Sequence, residues 1–484
     1  MPSSPPKADR KWLALVLLAS AQFVVVLDAS IVNVALPSIG RDLEFAQEDL
    51  AWVVNAYTLV FGGFLLLGGR MADLLGRRRL FMAGLVLFGT ASLVGGFAQS
   101  EGQLIAARAA QGLGAALVSP AALSIVTTLF TEGAERNKAL GVWGAVAGGG
   151  GAAGVLLGGV LTSQLGWEWV LWTLTPVAFI AAILTPRLID ESDSGADTKT
   201  FDVAGAVSVT AGLSLLVYAL VDANDAGWGS TQTIGLLGLT AALLLTFVFV
   251  ESRSSAPLVP FRIFRLRTLR GANVIGLLIG MSLFSMFFFV SLYMQQVLGY
   301  GALKAGFAYL PLALTIIFAA GLASVLVTRL GFKPVLVTGL TLIAVGLLWF
   351  SFVSPGGTFV GDVLFPSLLA AVGLGFSFVP VTIAAVTGVS NSDAGLASGL
   401  INTSQQIGGA LGLAVLSAIS ISTIGDRGRD PAALAEGFGD AFLAGAAVAA
   451  LGALLALTLI SGRDSKAHVE AVQSGDPEAV PVVA

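Results

Sequence analysis

The chain has 484 residues, of which 56% are hydrophobic and only 11% charged, with 60 glycines and a mean hydropathy of +0.89. A soluble domain carries roughly 25% charged residues, so the composition excludes an ordinary soluble enzyme, and a formal net charge of -4 supplies no basic field for nucleic acid. The absence of cysteine excludes disulfides, thiolate metal sites and cysteine nucleophiles.

Apolar runs bounded by charges, Gly, Pro or Asp/Asn clusters predict fourteen membrane helices, each near the ~20 residues that cross a bilayer. The first six cover 12–36, 50–69, 80–98, 103–129, 138–161 and 168–185. Two follow at 203–221 and 233–250, and six more at 271–298, 304–328, 334–352, 359–387, 395–420 and 438–460. An even count puts both termini on one side. Of the 25 Lys and Arg residues, 20 fall on that face and four on the other. Cationic loops stay cytoplasmic, so both termini are expected inside. The polar start Met1–Lys11, with no small-residue cleavage site after the first helix, reads as preceding a retained helix, not as part of a signal peptide.

The expected fold is all-α and integral to the membrane. An N-terminal six-helix bundle occupies 1–185, two additional helices with cytoplasmic linkers 186–270, a C-terminal six-helix bundle 271–462, and a disordered cytoplasmic tail 463–484. The first linker is acidic, with Asp190, Glu191, Asp193 and Asp197. The second alternates basic and apolar residues from Pro257 to Arg270, a spacing that suits a short amphipathic segment on the inner leaflet. A weak internal repeat sets Gly331 against Gly76, Thr328 against Asp73 and Lys333 against Arg78, the second copy having lost its acid.

Asp28 lies inside the first helix, where a carboxylate costs roughly 2.5–3.5 kcal/mol and therefore faces a cavity or a partner. Such an acid can take up and release a proton as its surroundings change; the alternative is an interfacial acid reached by water. Arg108 is the one basic residue within a helix, suited either to bias a nearby carboxylate or to snorkel from the helix end. The loop Gly69–Arg79 holds Arg70, Asp73, Gly76, Arg77 and Arg78; its acid and arginines can break and re-form pairs as a gate, or simply anchor the inner face. Gly150, Gly154, Gly158 and Gly159 permit either close helix packing or a bend. Asn33, Gln111, Gln295, Gln296, Asn402 and Gln405 either line a substrate cavity or join helices. There is no phosphate-binding loop and the lone His468 is in the tail, so ATP, cofactors and metal are not expected.

Several runs then resemble one family. Gly69-Arg-Met-Ala-Asp-Leu-Leu-Gly-Arg-Arg-Arg79 is similar to the cytoplasmic loop signature of the major facilitator superfamily. Leu27-Asp-Ala-Ser-Ile-Val-Asn-Val-Ala-Leu-Pro37, Arg108-Ala-Ala-Gln-Gly-Leu-Gly-Ala115 and Gly150–Gly159 resemble motifs of its fourteen-helix drug:proton antiporters, as do the runs Pro257–Asn273, Leu292–Gly306 and Gly395–Gly409. The resemblance implies that Asp28 and Arg108 couple protons, that Asp73 with Arg77 latches the inner side, and that the fifth-helix glycines bend as in exporters. Val155 stands where that motif usually has proline, so glycines must supply any bend, and Leu74 replaces a frequently basic residue.

The expected function is export of a small amphiphilic compound, such as an antibiotic, in exchange for protons by alternating access. Expected partners are the small-molecule substrate, protons and the lipid bilayer of a bacterial plasma membrane, with the protein acting as a monomer. Uptake by symport or facilitated diffusion is the rival transport reading, and a non-transporting receptor or scaffold of the same fold is the rival from another class.

Overall fold

The computed structural model describes residues 8–474 except 46–49, 51, 131–132, 192–201, 255–256, 391–392 and 428–429. Asp193 and Asp197 of the acidic linker, the first seven residues and the tail from 475 lie outside the described residues. Among the described residues every regular element is helical, as a chain immersed in hydrocarbon requires, because only internal hydrogen bonds satisfy its backbone there.

Thirteen helices are long and apolar enough to cross a bilayer, and a fourteenth span is a helix bent by 41° between Gly133–Gly151 and Ala153–Gln164. In chain order the elements are α1 (Ala8–Asp42), α2 (Trp52–Leu75), α3 (Arg77–Gly95), α4 (Glu101–Leu129), α5 (Gly133–Gln164), α6 (Glu168–Trp172) and α7 (Leu174–Leu188). Then come α8 (Val203–Ala226), α9 (Thr231–Arg253), α10 (Arg267–Leu292), α11 (Ala302–Ala308), α12 (Leu310–Leu330) and α13 (Phe332–Phe350). The chain closes with α14 (Phe365–Val386), α15 (Ala394–Ile424), α16 (Pro431–Leu459) and α17 (Gly462–Ser474). Helices α6 and α7 form one span, as do α11 and α12, while π-helical turns at Tyr293–Val297 and Phe359–Leu364 extend α10 and precede α14.

Helices α1 to α7 pack mainly on one another, through α2 and α3 on α4, α1 on α5 and α3 on α7. Helices α10 and α12 to α16 do the same through α10 on α15 and α13 on α14 and α16, and the two sets meet where α5 lies on α12 and α2 on α15. Helix α8 covers the α2–α15 seam: Ser214 and Val217 seat on Gly63 and Gly62, and Tyr218 stacks on Trp52 at 5.8 Å. Helix α9 packs on α8 and buries only 17% of its apolar window, leaving the rest for lipid.

The 257–270 stretch is two-sided: Leu258, Val259, Ile263 and Leu269 are buried with Leu66, Val209 and Leu396 at the foot of the α8 seam, while Phe261, Arg262, Arg265, Arg267 and Arg270 are exposed. One expectation is corrected. The tail is not disordered from 463, because α17 is an amphipathic helix that buries Ser465, His468 and Ala471, three residues apart, against the end of α12 and the starts of α13 and α5.

Candidate functional site

Asp28, on α1, and Arg108, on α4, meet in the interior of the first helix set, 0% and 1% exposed. Arg108 Nη1 donates to Asp28 Oδ1 and Oδ2 at 2.8 and 2.7 Å and to Gln111 Oε1 at 2.9 Å, while its Nε donates to the Val53 carbonyl at 2.9 Å. Gln111 Nε2 donates back to Asp28 Oδ1 at 3.4 Å. The Arg108 guanidinium lies 4.5 Å from the Tyr57 ring centroid, and Tyr57 Oη donates to the Val25 carbonyl at 3.1 Å. Arg108 therefore does not snorkel. Its Nη2 has no hydrogen-bond partner among the described residues and rests in this aromatic setting. A buried charge is tolerable only when paired and hydrogen-bonded, and this pair has both.

Of its two expected roles Gln111 takes that of joining helices, α4 to α1, in this network, three residues along α4 from Arg108 so that both point to one face. Tyr57 and Val53 were not picked out from the sequence; the sign available was a phenol hydroxyl inside an otherwise apolar helix.

The bent helix lies against the Asp28 stretch of α1. A Cβ at Gly150 would press on Val26 at 2.8 Å, one at Gly154 on Ser30 and the Leu27 carbonyl, and one at Gly158 on the Ile31 carbonyl at 2.6 Å. Gly159 is also buried. These glycines bring the α5 backbone onto α1 at Val26–Ile31, and the 41° bend falls between Gly151 and Ala153, without a proline.

The end of the molecule that carries the basic loops is closed by two pairings in corresponding places. Asp73, at the foot of α2, pairs with Arg77 at 3.1 Å and accepts from the backbone N–H of Gly395 and Leu396 at 3.0 and 2.9 Å, capping the first turn of α15 across the seam. Thr328, at the foot of α12, accepts from Asn137 Nδ2 at 2.9 Å across the other seam. The weak repeat thus places Asp73 and Thr328 at equivalent crossings, each followed by a glycine with positive φ, +101° at Gly76 and +85° at Gly331, that turns the chain into the next helix. His468 of α17 lies 3.1 Å from Asn137 Oδ1 and edge-on to Phe332. Burial, and then the charge of Arg136, holds its pKa down to about 4, so the ring is neutral at pH 7.

Gly69 is in backbone contact with Gly395 and Gly399. Arg70 donates to the Pro257 carbonyl at 3.2 Å and lies 3.7 Å from Asp393, not on Asp73. Arg78 ties α3 to Glu191 and the Ile189 carbonyl. The remaining polar candidates do not converge. Asn33 and Asn402 donate to their own helices, Gln295 donates to Ser291 Oγ at 2.8 Å, and Gln405 is half-buried against α10. Gln295 and Gln296 are exposed on the π-helical turn, a feature frequent at functional sites.

Two packed sets of membrane-spanning helices, with a buried ion pair in one and hydrogen-bonded pairings across both seams, are the framework of a membrane transporter. The model of the Major Facilitator Superfamily matches residues 18–413, and the chain belongs to that superfamily. It is 42% identical to the cephamycin export protein CmcT of Amycolatopsis lactamdurans, over 90% of each chain, and 39% identical to the puromycin resistance protein pur8 of Streptomyces alboniger, over 95% of this chain and 93% of that one. It is also 32% identical to the tetracenomycin C resistance and export protein of Streptomyces glaucescens, over 86% and 77%. Among solved structures it resembles the human organic anion transporter MFSD10 (TM-score 0.67, 16% identity, 94% and 100% coverage) and the proton:xylose symporter XylE (0.65, 14%, 94% and 96%), a likeness of fold alone.

Proposed function

We propose that this protein exports a small amphiphilic compound of the antibiotic kind, in exchange for protons, from the cytoplasm of a bacterium. The observation that carries the reading is the Asp28–Arg108 pair, sealed from solvent and packed on the bend of α5. Protonating Asp28 cancels its charge and releases Arg108 Nη1, and losing the proton restores the pair. An ion pair that forms and dissolves beside a bendable helix shifts the balance between two openings of the molecule. With the basic loops inside, the conformation described here is sealed at its cytoplasmic end by the Asp73 and Thr328 pairings, and both termini are cytoplasmic.

The names of the relatives support export over uptake. No acidic residue stands in the middle of the last six spans to balance an organic cation, which favours neutral or anionic cargo. Drug-susceptibility profiling in a pump-deficient host tests the reading: the wild type raises the tolerated dose of at least one antibiotic class, and Asp28→Asn abolishes the gain. Equal protection by both, with equal amounts in the membrane, overturns proton-coupled export.

A further inference from the structure

At the basic end of the central helix pair stand two carboxylates that the transport scheme does not use. Asp202 caps α8, its Oδ1 accepting from Gly205 N at 2.7 Å. Glu251 ends α9, is 3% exposed, and accepts from Val259 N through Oε1 at 2.7 Å. In each group the second oxygen, Asp202 Oδ2 and Glu251 Oε2, is buried with no partner among the described residues. The two oxygens converge on one spot, lying 3.1 and 3.0 Å from where a Cβ on Gly205 would sit. A buried acceptor without a donor is costly, and here two of them border the same small space beside Gly205.

The surrounding charges agree. Arg70 of α2 is the cation that acts on Glu251, and Arg70 in turn lies 3.7 Å from Asp393, which Arg262 approaches from the linker at 3.6 Å. Three carboxylates thus face two guanidiniums, an imbalance that one proton removes.

We propose that Asp202 and Glu251 form a second proton-binding site, in which one proton taken from the aqueous phase bridges Glu251 Oε2 and Asp202 Oδ2 and braces the closed gate. Held there, the proton leaves Arg70 free to clamp the Pro257 carbonyl and Asp393, tying the linker to the foot of α15. When the proton leaves, two adjacent anions draw Arg70 toward themselves and off Asp393, and the gate loosens. The site is distinct from the Asp28 pair and independent of the cargo.

The test uses the full chain in lipid nanodiscs without cargo or gradient. The chain has no cysteine, so spin labels can be placed on cysteines introduced at the exposed Ala134 and Arg329, at the feet of α5 and α12. Pulsed distance measurements across a pH series read the gate. Raising the pH is expected to raise the open-to-closed ratio by about tenfold. Glu251→Gln and, separately, Asp202→Asn are expected to hold the closed distance at every pH, whereas Asp28→Asn keeps the response. The Asp73–Arg77 latch and His468 remain in both brace variants, so a wild-type pH response in those variants belongs to these groups and overturns the proposal. A response that follows sodium at fixed pH also overturns it, assigning the site to a metal cation. If the variants do not fold, infrared difference spectra of protein carrying both Asp28→Asn and Asp73→Asn after an upward pH jump decide: loss of a protonated carboxyl band supports the site, and no such loss refutes it.

Discussion

Replacing Asp28 with Asn keeps the side-chain shape and one acceptor but strands the Arg108 charge, 1% exposed, without a counter-ion. Breaking a buried pair by removing one partner costs about 3–5 kcal/mol. The Val53 carbonyl, Gln111 and the Tyr57 ring contact the guanidinium before and after the change, so they drop out of the difference. The expected loss is therefore about 3–5 kcal/mol, read as a lower unfolding temperature in detergent. Removing both charges, with Asp28→Asn and Arg108→Gln together, is expected to recover most of it, since no orphan charge is left. In everted vesicles with an acid lumen the wild type accumulates cargo, while Asp28→Asn exchanges cargo only down its own gradient. Accumulation driven by the pH gradient at the wild-type level in Asp28→Asn refutes the assignment, because among the described residues Asp28 is the acid paired with Arg108.

Three further outcomes are expected. Asp73→Ala removes two charge-assisted bonds to the first turn of α15, at about 1.5–3 kcal/mol each, and should move the label distance across the α5–α12 foot to its open value at pH 7. Gly154→Ala forces a Cβ against Ser30 and the Leu27 carbonyl; it should lower stability by about 1–3 kcal/mol and slow transport, while Gly151→Ala, with open space around it, should do neither. For His468, burial lowers the folded pKa from 6.5 to about 4, so the docked α17 is fully held above pH 6.5 and released as the pH falls toward 4. Of that differential, about 3 kcal/mol in full, about 2 kcal/mol is expressed by pH 5 and should appear as faster hydrogen exchange in α17 at pH 5 than at pH 7, after correction for the intrinsic rate, and His468→Gln should remove the pH dependence.

Which helices exist is readable because a bilayer demands long apolar runs, and fourteen runs in the sequence correspond to thirteen candidate spans and one helix pair bent by 41°. The Asp28 and Arg108 positions were readable for a related reason, since a charge in oil stands out against its neighbours. The contact between them was not, because nothing in a one-dimensional pattern says which face of α1 meets which face of α4. The choice between the two roles of Gln111 is hidden for the same cause: its type suits a cavity wall as well as a hydrogen-bonded interior. His468 and Asp393 looked like ordinary loop and tail polar residues, and only the fold sets His468 on Asn137 and Asp393 beside Arg70 and Arg262.

The amino-acid order by itself determined the helical class, the number of crossings and the few intramembrane charges, because each follows from the cost of placing polar groups in hydrocarbon. Tertiary structure alone decided that α8 fills the seam between α2 and α15, that the linker and α17 fold under the helices, and that Asp73 and Thr328 close equivalent crossings. Those contacts join residues up to 331 positions apart, and they depend on shape and on small residues that let backbones approach, which leave no periodic mark in the sequence.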